Sequence, residues 1–278
     1  MRLSRKSTKF QLTATVAILA LGISSQASAQ AFPSFTVDPN GAFGAVGGPH
    51  QGPFKADFIT GNSSTLVTTS GSPTAHGAGW VNLSSFVNAG SNVLATTSGL
   101  NNSWQMWAEF TYDVSLTGGA YAKPGSTYNV TNLNVAFWAD PSIATPTRFT
   151  SASNSGEAAT VAHGTDAFQF GSADLIVGVA NINTLGGTSF NSTNNFLLND
   201  AGTSLFPNPA PFHTIQSNEF NNTTQGVFID PQGRFIALNE TSGGVDFNLS
   251  PIPEPETYAM LLAGLGLMGF MTRRRKSS

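Results

Sequence analysis

Glu109 and Asp113 stand four residues apart within Trp104 to Leu116, a stretch whose apolar residues recur at every second position. In a β-strand that spacing puts both carboxylates on one face. Two carboxylates facing each other across a cleft are what glycoside hydrolysis needs. Both belong, however, to the polar series of the stretch, the side expected to meet solvent. His50, His76, His163 and His213 are far apart and show neither His-x-His nor His-Glu-x-x-His spacing, so surface positions are expected for them. Asp230-Pro231-Gln232-Gly233 lacks the alternating oxygen ligands and final Glu of a calcium loop, and turn chemistry accounts for it. Asn199-Asp200-Ala201-Gly202 is no stronger. No nucleophile elbow, phosphate loop or dinucleotide fingerprint occurs. The expectation is a protein that is not an enzyme, with no catalytic, cofactor-binding or metal-ligating residues.

An aromatic face offers apolar area to a sugar ring, which makes Trp80, Trp104, Trp107 and Trp138 candidates for glycan stacking. Trp104 shares the apolar series of its stretch and is expected in the core. Trp107 lies in the opposite series and is the candidate glycan contact; the alternative is that a neighbouring loop packs over it.

The elements that must position these residues read as strands. Trp104, Met106, Ala108, Phe110, Tyr112, Val114 and Leu116 alternate with mostly polar partners, the period of a half-buried strand, closed by Gly118-Gly119. Tyr128 to Trp138 is a second strand, ended by Ala139-Asp140-Pro141. Gly226 to Asn239 reads as a hairpin turning at Asp230-Pro231-Gln232-Gly233, with proline at the second turn position. Further strands are expected over Phe54 to Thr60, Ser64 to Thr69, Gly79 to Phe86, Ala167 to Phe170, Leu175 to Ile182 and Val245 to Leu249. Asp38 to Pro53 and Leu185 to Pro211 are expected as long loops. Short strands between turn signals predict an all-β fold, a single β-sandwich or jelly-roll-like domain over residues 30–249. No cysteine is present, so packing alone must hold it, and a chain of this length buries enough surface for that.

Both ends differ from this body. Arg2, Arg5, Lys6 and Lys9, then an apolar Leu12 to Ile23, then Ala27-Ser28-Ala29 have the order of a secretory signal peptide over residues 1–29. Cleavage after Ala29 would start the mature chain at Gln30; a start at Phe32 is the alternative. At the other end, residues 250–278 carry Pro253-Glu254-Pro255, an uncharged run from Tyr258 to Met271, and Arg273-Arg274-Arg275-Lys276. The 14-residue run spans roughly 21 Å as a helix, short of the roughly 30 Å hydrocarbon core. It therefore suits a transient insertion in the inner membrane with its basic tail in the cytoplasm. An ordinary membrane anchor is the other reading. Eight of the twelve cations lie in these two ends, leaving Lys55, Lys123, Arg148 and Arg234 against thirteen Asp and Glu, a net charge of −9 over residues 30–250. Nucleic acid, which requires clustered Lys and Arg, is excluded as a partner.

The order Pro-Glu-Pro, apolar run and basic cluster resembles the PEP-CTERM sorting signal of Gram-negative bacteria, read by the membrane protease-transpeptidase exosortase. The resemblance implies that Pro253, Glu254, Pro255, Arg273, Arg274 and Arg275 form the processing motif. Signal peptidase and exosortase would be the processing partners, and cell surface or extracellular matrix the destination. Phe32 to Pro39 followed by Phe54 to Asn62, and again Trp104 to Leu116, resemble flocculation-associated PEP-CTERM proteins. That second resemblance implies a structural or adhesive role with exopolysaccharide in flocs or biofilm. A secreted carbohydrate-binding module or a polysaccharide-active enzyme is the alternative.

Overall fold

The computed structural model describes residues 32–71 and 73–248. The chain opens with β1 (Phe35–Val37), a single helical turn α1 (Pro39–Phe43) and β2 (Phe54–Ala56), which pairs with β1. Then follow β3 (Phe58–Gly71), β4 (Thr74–Asn88), the two-residue β5 (Ser91–Asn92), α2 (Ala95–Ser98), β6 (Gln105–Gly118) and β7 (Ser126–Asp140). A small hairpin of β8 (Arg148–Thr150) and β9 (Thr160–Ala162) precedes β10 (Phe168–Ile182), β11 (Thr188–Leu198) and α3 (Asp200–Leu205). The chain ends on β12 (Ile215–Asn222), β13 (Val227–Ile229) and β14 (Phe235–Asn248).

Eight strands close into an antiparallel up-and-down barrel in the order β3-β4-β6-β7-β10-β11-β12-β14. Closure comes from β14, which pairs with β12 on one side (Ile215↔Asn248 to Asn221↔Ser242) and with β3 on the other (Phe235↔Thr68 to Val245↔Ile59). The all-β expectation holds, and the sandwich or jelly roll is corrected to a barrel. Period-two alternation tells which side of a strand is buried; it does not tell whether that side meets a second sheet or its own sheet curled round. Closure also leaves no open edge in the barrel wall for another chain to extend.

Inward positions are mostly apolar and outward ones mostly polar, the reverse of a membrane-spanning barrel. On β6 the inward series is Met106, Ala108, Phe110, Tyr112, Val114 and Leu116, all in or against the core. The expected strand over Phe54 to Thr60 is divided between β2 and β3, which also takes in Ser64 to Thr69; Ala167 to Phe170 and Leu175 to Ile182 merge into β10, and Phe235 to Asn248 is one strand. The expected loop over Leu185 to Pro211 is corrected. It holds the whole of β11 and α3, hidden because the inward residues of β11 include Ser192 and Asn194. The proposed signal segment, sorting motif and short transmembrane helix lie outside the described residues. Among the described residues no helix is long and apolar enough to cross a membrane.

The two ends of the barrel differ. β14 and the N-terminal segment meet at one end, together with the connections through α2 and α3. There Phe35, Phe196, Phe206, Phe212 and Phe247 pack ring against ring, with centroids 4.7 Å apart for Phe196–Phe247 and 5.4 Å for Phe35–Phe247. Phe43, Phe86 and Trp104 extend the plug. Thr36 and Asp38 donate backbone N–H groups to Asn208 and Leu205, both at 2.8 Å, which ties the first strand across this end. The opposite end is ringed by the β6–β7, β10–β11 and β12–β14 connections. It is not plugged.

Candidate functional site

Three places on the barrel bring polar or aromatic side chains together. The first lies under the β7–β10 connection, residues 141–167, which lays the β8–β9 hairpin over the outside of the barrel. Asp140, fully buried, roots it by accepting from the Ser142 N–H and the Thr147 hydroxyl, each at 3.0 Å. Ser64 on β3 accepts the Ala152 N–H at 2.8 Å and donates to Asn239 at 2.6 Å, while the Asn239 amide returns to the Ala152 carbonyl at 2.8 Å. The Trp80 indole donates to the Thr150 carbonyl at 2.9 Å.

Trp107 has no exposed surface. It stacks on Trp138 at 6.2 Å and meets the edges of Phe149 and His163 at 6.1 and 5.3 Å. The expected glycan contact is therefore corrected: the arm covers the ring, which packs as core on the outer side of the sheet. His163 and the Trp107 indole both reach Glu109, at 2.5 and 3.1 Å.

A second assembly lies on the open outer face. His76, Asp113 and Asn132 are cross-strand neighbours on β4, β6 and β7, and Asn134, Asp174 and Asn195 on β7, β10 and β11. Asp113 bonds His76 at 2.8 Å and accepts from Asn132 at 3.2 Å. Asn134 donates to Asn132 at 3.3 Å, and Asn195 to Asp174 at 3.0 Å. The result is a row of amides, carboxylates and one imidazole across five strands, exposed or half-exposed throughout. The hydrogen bond from His76, then that from Asn132, holds the Asp113 carboxyl below its ordinary range. Glu109 and Asp113 face outward as the spacing implied, but four residues along one strand separate their backbones by roughly 14 Å. Each carboxylate bonds a different histidine, Glu109 to His163 and Asp113 to His76.

The third place is inside the barrel, where the upper half encloses a half-open cavity of about 110 Å³. It exists because small residues, among them Ala75, Ala108 and Ala180, occupy inward positions. The wall from β4 to β10 is apolar, with Val81, Phe110, Tyr112, Tyr128, Leu133 and Val135. The wall from β12 through β14 to β3 presents Gln216, Asn218, Thr241, Ser63 and Thr65. Behind it Asn194, fully buried, donates to Gln216 and Asn218 at 2.9 and 3.1 Å, and Ser192 donates to Asn218 at 2.5 Å. The Tyr112 ring lies so close over Gly77 that any side chain there would strike it. Burial raises the Tyr112 hydroxyl pKa well above the usual tyrosine range, with Tyr121 adding to it.

None of this interior was singled out from the sequence. The available signal was polar residues two apart at inward positions, Ser192 and Asn194, then Gln216 and Asn218, and it is lost in a chain rich in Asn, Ser and Thr. Asp230 is where turn chemistry put it, accepting a two-pronged bond from Arg234 at 2.9 and 2.8 Å. Asn199 caps α3 by accepting the Gly202 N–H at 2.9 Å. No group of three or more His, Cys, Asp or Glu among the described residues could hold a metal. Ala27, Ala29, Pro253, Glu254, Pro255, Arg273, Arg274 and Arg275 lie outside the described residues.

No curated protein and no solved structure matches the chain. Residues 251–276, starting three positions after the last residue of β14, match the PEP-CTERM protein-sorting motif. The motif marks a substrate of exosortase, exported across the inner membrane to the surface or beyond. The barrel is thus the cargo of a sorting signal, and the chain carries a PEP-CTERM protein-sorting motif behind it.

Proposed function

We propose that the mature protein is a non-enzymatic component of the cell surface or extracellular matrix that associates with exopolysaccharide and holds cells together in flocs or biofilm. Signal peptidase and exosortase act on it; it carries out no reaction of its own. The observation that carries the polysaccharide part is the outer row from His76 to Asn195. Amides and carboxylates that bond one another across strands stand at fixed spacing, and each keeps donor or acceptor capacity for sugar hydroxyls. The charge pattern agrees, because an acidic, sparsely charged body avoids non-specific capture by nucleic acid.

The test is made in the native host. Deletion of the gene is expected to reduce floc or biofilm cohesion, with restoration by the wild type. The triple variant Asn132→Ala, Asn134→Ala and Asn195→Ala is expected to be exported and cleaved normally yet washed out of the matrix. A triple variant retained like wild type, with cohesion intact, overturns the polysaccharide reading. Intact mass from strains with and without exosortase tests processing separately. The expected released chain lacks residues 1–29 and the apolar tail only when exosortase is present.

A further inference from the structure

We propose that the upper half of the barrel is a binding site for a small uncharged carbonyl compound with an apolar body, such as a short acyl amide, ester or lactone.

The wall chemistry supplies the argument. Ser63 and Thr65 are 5 % and 4 % exposed, line the cavity, and bond no group among the described residues. Both hydroxyls open into the cavity, not into packed core, so two side by side on β3 are hydrogen-bond donors a guest can take over from water. Asn218 adds to them. Its carbonyl oxygen is occupied by Ser192 and Asn194, which leaves its N–H groups for the cavity. Donors from β3 and β12 therefore converge on one wall, and the complementary ligand group is an acceptor oxygen.

The opposite wall sets the rest of the ligand. Phe110, Tyr112, Leu133 and Val135 offer only apolar and aromatic surface, and no Asp, Glu, Lys, Arg or His lines the cavity. A charged guest would lose its hydration with nothing to replace it. The volume of about 110 Å³ is a little under the roughly 150 Å³ of a cavity that takes benzene. It admits one ring or a short chain, with anything longer projecting past the rim at Tyr121, Asn181 and Thr188. Eight-stranded barrels are of the size that holds a single small guest. The mouth also lies at the end away from Asn248, where the chain runs on to its sorting motif.

The test uses the mature chain purified from its host. Hexanamide and cyclohexanone serve as neutral carbonyl probes, with hexanoate and cyclohexane as the charged and the purely apolar controls. Saturable binding of the two carbonyl probes is expected at roughly millimolar strength, the scale for so few atoms, with shifts of the Tyr112 and Tyr128 ring resonances. Hexanoate is expected to bind at least tenfold more weakly. Ala180→Phe, which fills the half-buried rim between Tyr128 and Phe190, is expected to abolish binding while leaving the circular dichroism spectrum intact. Thr65→Val is expected to weaken the carbonyl probes about tenfold and leave cyclohexane unchanged. No saturable shift of the tyrosine resonances in the wild type overturns the proposal, whatever the variants do. Equal binding of hexanoate and hexanamide, or ring resonances that report exchanging water alone, overturns it as well.

Discussion

The plugged end and the open half of the barrel are built from the same eight strands with the same alternation, yet one is solid and the other hollow. At the plugged end, inward positions and incoming connections both supply large rings: Phe196 and Phe247 from the wall, Phe35, Phe206 and Phe212 from the segments that close it. In the open half, alanines alternate with rings, and the β6–β7 connection brings in only Tyr121 and Ala122, which leave the gap unfilled. Alternation decides that a residue faces inward; its size, and what crosses the end, decide whether the inside is core or site.

The comparison is tested first where the effect should be greatest. Phe247→Ala, deep in the plug, is expected to cost about 3–5 kcal/mol, read as a lower denaturant midpoint with unchanged slope. A much smaller loss would mean that the plug is loosely packed. The next pair contrasts the halves directly. Ala139→Leu, at a fully buried inward position near the plug, is expected to destabilise by about 1–3 kcal/mol through overpacking. Ala108→Leu, which projects into the cavity, is expected to change stability by less than about 1 kcal/mol. Equal costs would erase the distinction between the two.

Acid should find the plugged end before the open one. Burial lowers the His213 pKa, and neither ring nitrogen meets a hydrogen-bond partner among the described residues. The unfolded chain thus takes up a proton there that the folded chain resists, and stability falls as pH drops below the ordinary histidine value of about 6.5. Thermal unfolding between pH 7.5 and 5 should show that slope, and His213→Gln should flatten it. Near the mouth, Asp230 is lowered to about 2, chiefly by its hydrogen bond to Arg234. Its contribution is complete above about pH 4 and is lost as pH falls through about 2. Protection of the Asp230–Arg234 turn amides, corrected for the intrinsic pH dependence of exchange, should therefore be the same at pH 5 and pH 7. Lower protection already at pH 5 would reverse the assignment.

Much of the wall was legible. Trp104 to Leu116 alternates so regularly that its inward series can be named residue by residue, and the Asp230 turn follows from proline and glycine chemistry. Closure was not legible, because the pairing of β14 with β3 joins residues about 170 positions apart that share no local pattern. Trp107 was placed on the correct face, and of the two neighbours weighed for it, a glycan or a covering loop, it is the loop that is present, though which loop was not legible. Nothing in its own stretch records that Phe149 and His163, more than forty residues later, fold back over it. The cavity was invisible for a related reason, since an empty space is defined by small residues on several strands at once. The sorting motif was legible in full, because it is read as linear sequence.

The position of β14 has a mechanical consequence. It is the strand that leads to the sorting motif, and it is bonded along both sides, to β3 from Phe235 to Val245 and to β12 from Ser242 to Asn248. Inter-strand bonds lie across the strand direction. A pull applied through the segment that follows Asn248 runs along β14. It meets two ladders of bonds in shear, which must yield together and not one after another. The barrel therefore resists pulling best along the strand from which its chain leaves.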